Sequence, residues 1–363
     1  LPNVMRRAYQ AMRSGKGGPV LVEIPAEVWE ADHAGKLDYE PVPLQRAAPD
    51  PIAIEQAAHA LLAAHNPLLW AGQGVLYAEA SDLLVTLAEL VPAPVVTTNP
   101  GKSAIHENHP LALGASTRSR PKMFTEFMSR ADVVLAIGSS LTKTPFGPSI
   151  PSGKQIIHAT NEAGDINKKY SVNHSLIGDA ALVLEALIEE VGLQKGSRKG
   201  GELTALENEV AAVKQAWQEE WSANLNSDEV PINQYRVIRD LMRTVDRDSV
   251  IITHDSGSPR EQLLPFWETT VSGSYIGWGK STQLGYSLGL MMGAKLAAPD
   301  KLCINVMGDA AIGMTGMDIE TAARYGIGIL TIVFNNGVMA AERQVLKISD
   351  EKFGAMAVGG NYA

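Results

Sequence analysis

Short apolar runs alternate with amphipathic stretches over residues 51–191, and this alternation predicts a mostly parallel β-sheet covered by helices. The predicted strands are 68–71, 95–98, 133–137 and 155–159. Gly72-Gln73-Gly74 follows the first of them. We interpret this Gly-x-Gly as a tight turn, although the same pattern can also seat a phosphate.

A second unit of the same kind is predicted from about residue 231 onward. Its first helix is expected at 234–245, and its strands are expected at 250–253, 302–307 and 329–334. Residues 315–318 have the pattern of a capping box, so a helix should begin there and end at Gly326. Sheets of this type bind ligands at the carboxyl ends of their strands, so functional residues should follow the strands.

The chain outside these two units is predicted to be a domain remnant and linkers. A helix at 4–12 and a strand at 19–25 cannot bury a core of their own, so they should be the end of another domain. A charged, glycine-rich hinge and an amphipathic helix should separate the two units. The expected divisions are a remnant with its linker at 1–48, a central domain at 49–195, the hinge and helix at 196–229, and a domain truncated at its carboxyl end at 230–363. The predicted fold class is α/β, with two doubly wound, mostly parallel-sheet domains preceded by a remnant of a third.

Composition and charge exclude several classes of partner. Acidic residues outnumber basic ones by 40 to 31 and no basic stripe is present, so nucleic acid is not expected to bind. No apolar run is long enough to span a bilayer, so no membrane association is expected. The single cysteine, Cys303, lies in an apolar run and should be a small buried side chain. With no disulfide within the chain and no signal peptide, we expect a cytoplasmic protein.

One constellation of polar residues indicates a chemical function. The second strand of the second unit leads into Gly308-Asp309-Ala310, and the third leads into Asn335-Asn336. A helical crossover makes two such strands parallel, so Asp309 and Asn336, with 26 residues between them, should meet at one sheet edge. Carboxylate and carboxamide oxygens suit Mg²⁺ that is shared with a phosphate group better than they suit Zn²⁺.

Each part of this constellation also has a structural alternative. Asp309 could be an ordinary turn residue, and Asn335-Asn336 could end a strand through side-chain hydrogen bonds. The joint pattern favours the metal site. In addition, the turn at Gly308 would let a diphosphate approach the N–H groups at a helix start, where the helix dipole favours anions.

The pattern resembles the thiamine-diphosphate motif of the acetolactate synthase-like family of thiamine-diphosphate-dependent enzymes, except that Ala310 stands where the family often has glycine. The resemblance implies that Asp309, Asn336 and the backbone carbonyl of Val338 bind Mg²⁺. It implies the following set of cofactor-binding residues: Gly257, Ser258, Thr282, Leu284, Gly308, Asp309, Ala310, Ala311, Asn336 and Val338.

The resemblance extends over nearly the whole chain. Residues 18–25 resemble the end of the family's pyrimidine-binding domain, and residues 97–102 resemble part of its central domain. Residues 255–258 resemble the first phosphate-side loop of the cofactor domain. Residues 283–286 resemble the segment where the family keeps a large apolar residue under the cofactor.

Three residues of the chain are candidates for a part in catalysis. Leu284 would force the cofactor to bend so that its aminopyrimidine nitrogen reaches the C2 proton, and its alternative is an ordinary core leucine on a helix. Glu342 is a candidate for proton transfer and Gln344 for a substrate contact, because their segment lines the substrate side in related decarboxylases. The family's catalytic glutamate belongs to the pyrimidine-binding domain and is expected to lie upstream of this chain. Glu23 should not take its place, because it lies on the predicted terminal strand of that domain.

The resemblance implies a decarboxylase and carboligase of the acetolactate synthase type. Such an enzyme removes CO₂ from a 2-oxo acid and joins the remaining acyl unit to a second carbonyl compound. A 2-hydroxyacyl-CoA lyase or oxalyl-CoA decarboxylase is an alternative, and a non-catalytic cofactor-binding subunit is another. The expected cofactors are thiamine diphosphate and Mg²⁺, and the expected assembly is a homodimer or homotetramer with active sites at subunit interfaces.

FAD is not expected in the central domain. Many acetolactate synthases carry an arginine-containing segment where this chain has residues 137–142, and an acidic pattern where it has residues 158–161. Both differences remove contacts that FAD would use.

Overall fold

The computed structural model describes residues 1–32, 35, 40, 42–144, 147–195, 201–278, 283–339, 347, 348, 350–352 and 354. The first segment contains helices α1 (Pro2–Arg13) and α2 (Ala26–Glu30). The prediction of a strand at 19–25 is wrong, because these residues form no regular element and Leu21 is 94% exposed. A strand needs a neighbour whose backbone can pair with it, and none lies beside this segment in the described part of the chain.

A six-stranded sheet forms the first unit. Its strands are β1 (Pro67–Ala71), β2 (Val95–Thr97), β3 (Ala112–Ala115), β4 (Val133–Ile137), β5 (Gln155–Thr160) and β6 (His174–Ile177). They all pair in parallel in the order β3-β2-β1-β4-β5-β6, which is a doubly wound order. The four predicted strands are confirmed. The sequence pattern does not reveal β3 and β6, because β3 has only four residues with Leu113 as its one large apolar side chain, and β6 fully buries only Leu176.

Helices cover both faces of this sheet. They are α3 (Pro51–Ala63), α4 (Gln73–Tyr77), α5 (Ser81–Leu90), α6 (Lys122–Arg130) and α7 (Ala180–Lys195). On one face α3, α5 and α7 pack around a buried cluster that includes Leu69 and Leu187. On the other face α6 packs with a following helix, α8 (Gly201–Glu220), around Trp70 and Trp217. Burial on both faces explains why the strands are apolar throughout rather than alternating.

The helix predicted between the two units is present as two pieces, α8 and α9 (Ser222–Leu225). Trp221 stands between them, and its ring centroid lies 5.3 Å from that of Trp217 and 5.1 Å from that of Phe266 in the second unit. Tyr235 joins the same cluster, 4.8 Å from Trp221. These ring contacts attach the connecting helix to the second unit.

A four-stranded parallel sheet forms the second unit. Its strands are β7 (Val250–His254), β8 (Tyr275–Ile276), β9 (Leu302–Gly308) and β10 (Leu330–Phe334). Its helices are α10 (Gln234–Thr244), α11 (Ser258–Phe266), α12 (Tyr286–Ala297), α13 (Asp309–Thr315) and α14 (Asp318–Arg324). The strand order is β10-β9-β7-β8. The α/β class with two parallel sheets is therefore confirmed.

The prediction of a capping box at 315–318 is wrong. A separate helix, α13, follows β9 and ends at Thr315, and α14 begins after Met317. Met317 keeps a helical backbone, with φ −63° and ψ −22°, so no extended residue is available to cap α14. The Thr315 hydroxyl instead donates to the carbonyl of Gly285 over 3.2 Å. Gly326 follows α14 in the left-handed conformation, with φ +64°, as predicted.

The composition led to predictions about the single cysteine and about membrane-spanning segments. Cys303 is fully buried within β9, and burial raises the pKa of its thiol, as suits a small core side chain. Among the described residues, no helix combines the length and the apolar character that crossing a bilayer requires.

Candidate functional site

The carboxyl edge of the second sheet brings together the strand ends that carry Asp309 and Asn336. β9 and β10 pair in parallel, and Gly308 lies opposite Phe334 at the end of the paired region. Asp309 follows Gly308 as the first residue of α13, and Asn336 lies two residues beyond Phe334. Both residues therefore leave neighbouring strands at the same edge of the sheet.

Asp309 is free to bind a ligand. It is half-buried, and its carboxylate has no hydrogen bond or ion pair with any other residue that the structure describes. Gly308 makes no side-chain cap for α13, and open space lies where a Cβ at Gly308 would stand. A free carboxylate therefore stands beside uncapped N–H groups at a helix start, which is an arrangement that suits a metal-bound diphosphate.

Asn335 and Asn336 also make the turn that ends β10. The Oδ1 of Asn336 accepts a hydrogen bond from the N–H of Val338 at 3.1 Å, and the Oδ1 of Asn335 accepts one from the N–H of Gly337 at 3.1 Å. Asn335 and Asn336 therefore do end the strand through side-chain hydrogen bonds, which was the structural alternative to a metal site. These bonds do not exclude a metal site, because a carboxamide oxygen has a second lone pair.

The donor set at this edge consists of oxygens. Asp309 offers a carboxylate, Asn336 a carboxamide, and Val338, which is 7% exposed, a backbone carbonyl. Over the described ranges, no group of three or more His, Cys, Asp or Glu side chains could hold a metal ion. Mg²⁺ commonly takes one or two carboxylates and completes its shell with phosphate oxygens and water. The residues at this edge thus fit Mg²⁺ that shares a diphosphate.

The loop after β7 reaches the same edge, because β7 is the other neighbour of β9. Gly257 precedes α11, which begins at Ser258, and its φ of +82° favours glycine. Apart from Gly257 itself and its two neighbours in the chain, no described residue has an atom within 4 Å of the point where a Cβ at Gly257 would stand. This loop, which the sequence predicts to face the phosphates, therefore has room for a ligand at the start of α11.

Leu284 lies two residues before the first residue of α12 rather than on the helix. It is partly buried and packs against a cluster of Leu288, Met307 and Ala311. Because Ala311 belongs to α13, this cluster connects the segment of Leu284 to the helix that Asp309 begins. Leu284 thus makes core contacts and also stands beside the candidate metal edge.

Of the remaining predicted site residues, only Ala310 lies within the described part of the chain. Ala310 is half-buried in the first turn of α13. Thr282, Glu342 and Gln344 lie outside the described residues, so their roles stay predictions.

The sequence interpretation missed the contacts of His254. This residue is fully buried, and burial lowers its pKa to about 3, so it is neutral near pH 7. Its Nε2 lies 3.2 Å from the Oδ1 of Asn99 in the first unit, and its ring is stacked at 13° on that of Trp278. The signal in the sequence was the polar pair His254-Asp255 directly after an apolar strand.

Two cavities of about 730 Å³ each lie away from Asp309 and Asn336. One lies at the carboxyl edge of the first sheet and is lined in part by Gly72, Gly74 and Gly138. A Cβ at Gly74 would stand 2.6 Å from the Cα of Gly138, so close backbone packing accounts for the Gly-x-Gly pattern. The other cavity lies between the two units, beside α8 and α10. Cavity size therefore does not locate the candidate chemistry, whereas the strand ends do.

Family comparisons match both units. Residues 54–187 match the central domain of thiamine pyrophosphate enzymes, and residues 255–361 match their C-terminal TPP binding domain. Thiamine pyrophosphate is another name for thiamine diphosphate. The second match includes both Asp309 and Asn336, and the two matches together cover more than half of the chain.

Individual relatives are longer than this chain. A "Probable acetolactate synthase large subunit" of Methanococcus aeolicus is 28% identical over 363 residues, covering 93% of this chain and 58% of that protein. A glyoxylate carboligase of Escherichia coli O157:H7 is 26% identical, covering 96% of this chain and 59% of that protein. Thus the chain spans less than two thirds of the length of these relatives.

A solved structure has the same fold. The benzoylformate decarboxylase of Polynucleobacter necessarius superposes with a TM-score of 0.77 and 18% sequence identity. The match covers 99% of this chain and 65% of that one. At this identity the likeness shows the fold alone.

Proposed function

Because the chain belongs to the thiamine pyrophosphate enzymes, we propose that the complete protein is a thiamine-diphosphate- and Mg²⁺-dependent decarboxylase and carboligase, acetolactate synthase-like, that acts on a 2-oxo acid. The observation that carries this proposal is the position of Asp309 and Asn336. Both follow paired parallel strands at one edge of the matched cofactor-binding domain. When bound there, the cofactor supplies a carbon nucleophile for the substrate carbonyl and a sink for the electrons left by departing CO₂.

The residues of this chain would hold the diphosphate end. Asp309, Asn336 and the carbonyl of Val338 would bind Mg²⁺, which offsets the negative charge of the diphosphate. N–H groups at the start of α13 and in the Gly257-Ser258 loop would donate to phosphate oxygens. Leu284 would support the cofactor between its diphosphate and pyrimidine ends.

We propose that a second subunit completes the site. The resemblance implies a catalytic glutamate in a pyrimidine-binding domain, and a homodimer or homotetramer would bring that domain of a second subunit to the edge beside α13. The exposed side chains in and around α13 and α14 support an interface there, because Met314 is 60%, Met317 84% and Tyr325 71% exposed. Contact with another protein surface would cover large apolar side chains that are exposed this close together in the sequence.

The experiment for this proposal is a product assay. Protein extended upstream through a full pyrimidine-binding domain should release CO₂ from pyruvate or another 2-oxo acid when thiamine diphosphate and Mg²⁺ are present. It should also form a carboligation product. Chelation of Mg²⁺ should stop both. Binding of the cofactor without turnover of any 2-oxo acid would instead favour the non-catalytic subunit.

A further inference from the structure

Asp255 is a fully buried carboxylate whose two oxygens are both engaged by donors from other segments. Its Oδ1 accepts from the N–H of Ser256 at 2.8 Å and from the N–H of Gly285 at 3.1 Å. Its Oδ2 accepts from the N–H of Ser287 at 3.1 Å and from the Ser287 hydroxyl at 2.5 Å. A buried carboxylate is tolerated only when its lone pairs are satisfied, and the four bonds satisfy those of Asp255. The three bonds from Gly285 and Ser287 fix the position of residues 285–287 against the end of β7.

These bonds also cap α12 from a distance. Gly285 is the N-cap of α12, has no side chain and lies in the left-handed region with φ +83°. The N–H groups of a first helical turn have no acceptor within their own helix, so the carboxylate of Asp255 takes the place of a capping side chain. Leu284, the residue before Gly285, is therefore attached to this capped helix start.

The same turn is held from the opposite side by α13. The Thr315 hydroxyl donates to the carbonyl of Gly285 over 3.2 Å. A Cβ at Gly285 would stand 2.4 Å from the Cγ2 of Thr315, so the backbone of Gly285 packs directly against the Thr315 side chain. Asp255, at the end of β7, and Thr315, on α13, thus hold the turn at Gly285 from two sides.

The other end of the segment that carries Leu284 is also fixed at the end of β7. The indole N–H of Trp278 donates to the carbonyl of His254 over 3.4 Å, and the carbonyl of Trp278 accepts from the Asn99 side chain at 2.7 Å. The rings of Trp278 and Tyr286 lie 4.9 Å apart. Trp278 and Tyr286 therefore contact each other, and Trp278 and Gly285 are each bonded to the His254-Asp255 pair.

We propose that Asp255 is a positioning residue that sets the place of Leu284 relative to Asp309, and so holds the bend of the bound thiamine diphosphate. This inference rests on the proposed function, in which Leu284 supports the cofactor. Asp255 does not itself touch the cofactor in this proposal. It acts by fixing Gly285 and Ser287 through its charge-assisted hydrogen bonds.

The replacement Asp255→Asn tests the proposal with little change in shape. Each oxygen of Asp255 accepts backbone N–H groups, so an NH₂ group at either place would face donors. A matched control is Asp246→Asn, at the other end of β7. Asp246 likewise accepts from a backbone N–H, that of Asp248, and from a serine hydroxyl, that of Ser249. Ser287→Ala is a milder variant that removes one of the four bonds to Asp255 and keeps the test available if Asp255→Asn does not fold.

The first measurement needs no cofactor. Amide hydrogen exchange is followed residue by residue in the 363-residue chain. Asp255→Asn should speed exchange at Gly285 and Ser287 by about tenfold or more, and Ser287→Ala by less, because a typical buried hydrogen bond is worth about one factor of ten in an equilibrium. Asp246→Asn should leave both amides unchanged. Unchanged exchange at these amides in folded Asp255→Asn or Ser287→Ala would overturn the positioning claim.

The second measurement separates positioning from a merely structural role. Protein extended through a pyrimidine-binding domain is loaded with thiamine diphosphate and Mg²⁺, and exchange of the cofactor's C2 proton is followed by NMR. Asp255→Asn should slow this exchange by about tenfold or more while the affinity for the cofactor changes less than about threefold. Equal losses in affinity and in C2 exchange, or unchanged C2 exchange, would contradict the proposal. If the wild-type protein binds no cofactor, the proposed function fails instead, and the amide measurement still decides whether Asp255 fixes the turn.

Discussion

Asp309 and Asn336 leave neighbouring parallel strands at one edge of the second sheet, one residue after Gly308 and two residues after its pairing partner Phe334. The helices α13 and α14 and one return strand separate them in sequence, so a single crossover brings them together. This relationship explains how a motif split by 26 residues can act as one site.

A buried ion pair between Lys102 and Glu107 should stabilise the contact between the two units. The Nζ of Lys102 lies 2.6 Å from both carboxylate oxygens of Glu107, and both side chains are buried. Glu107 also accepts from the N–H of Thr269 in the second unit at 2.8 Å. Lys102→Met should therefore lower the free energy of unfolding by about 3–5 kcal/mol, because it leaves a buried carboxylate without its counter-charge. Urea unfolding measures this loss.

An exposed ion pair provides the matched control for this prediction. Arg324 and Glu320 pair on the surface with side chains 64% and 55% exposed. Arg324→Met should cost less than about 1 kcal/mol. The double replacement Lys102→Met with Glu107→Gln should recover part of the loss, since no buried charge remains. A loss after Lys102→Met no larger than that after Arg324→Met would contradict the buried-pair account.

His254 should make the protein less stable in mild acid. Burial lowers its pKa from 6.5 to about 3, so the folded protein keeps it neutral while the unfolded chain protonates it. The contribution of neutral His254 to the free energy of unfolding is therefore fully present above about pH 6.5. It is lost as the pH falls toward 3, by about 1.4 kcal/mol per pH unit. In His254→Gln, the loss of stability between pH 7 and pH 5 should be smaller by about 2 kcal/mol.

Denaturant unfolding of the wild type and of His254→Gln, each at pH 7 and at pH 5, measures this difference. The exposed His65 supplies a control, and His65→Gln should keep the wild-type pH dependence. If His254→Gln also keeps the wild-type pH dependence of stability, then His254 does not limit stability in acid.

The complete protein should bind no flavin in its first unit. The segments compared with acetolactate synthases are occupied by internal contacts, because His158 Nε2 lies 2.8 Å from the carbonyl of Ser139 and Asn161 donates to the carbonyl of Gly15 over 3.0 Å. The purified protein should therefore lack visible absorbance from bound FAD. A stoichiometric flavin spectrum would refute this prediction and strengthen the acetolactate synthase assignment.

Local patterns in the sequence were enough to predict most strands and the edge that holds Asp309 and Asn336. Runs such as 133–137 are apolar throughout, and a strand buried on both faces has that pattern. By contrast, β3 has four residues, of which only Leu113 is large and apolar, and β8 has two residues, so neither has a periodic signal. The pattern at 315–318 misled because a capping box cannot be distinguished locally from the end of one helix followed closely by another.

Contacts between distant segments could not be predicted in the same way. Asp255 binds Gly285 and Ser287, which lie about 30 residues further along the chain. That contact depends on the left-handed turn at Gly285 and on the pairing of β7 with β9. The sequence shows a carboxylate after a strand, but the fold determines which N–H groups it meets.

The 363-residue chain alone should release no CO₂ from pyruvate, even with thiamine diphosphate and Mg²⁺. The diphosphate end of the site would have its ligands, but the proposed pyrimidine-binding domain and its glutamate would be lacking, and positioning and electrostatic stabilisation supply much of an enzyme's acceleration. Protein extended upstream through that domain should be active in the same assay. Comparable turnover by the two proteins would show that the base lies within this chain, and Glu342 would be the first residue to replace.

Calorimetric titration with thiamine diphosphate should decide whether Asp309 and Asn336 bind a Mg²⁺ ion that is shared with the cofactor diphosphate. The extended protein should bind the cofactor with Mg²⁺ and not with a chelator. Asp309→Ala should weaken binding by more than about 100-fold, since residues that merely orient metal ligands already cost about 10- to 100-fold. The matched control is Asp318→Ala, because Asp318 begins the next helix, α14, just as Asp309 begins α13. We expect metal-dependent binding to be lost in Asp309→Ala and kept in Asp318→Ala, whereas equal affinities in the wild type and Asp309→Ala would rule out Asp309 as a metal ligand.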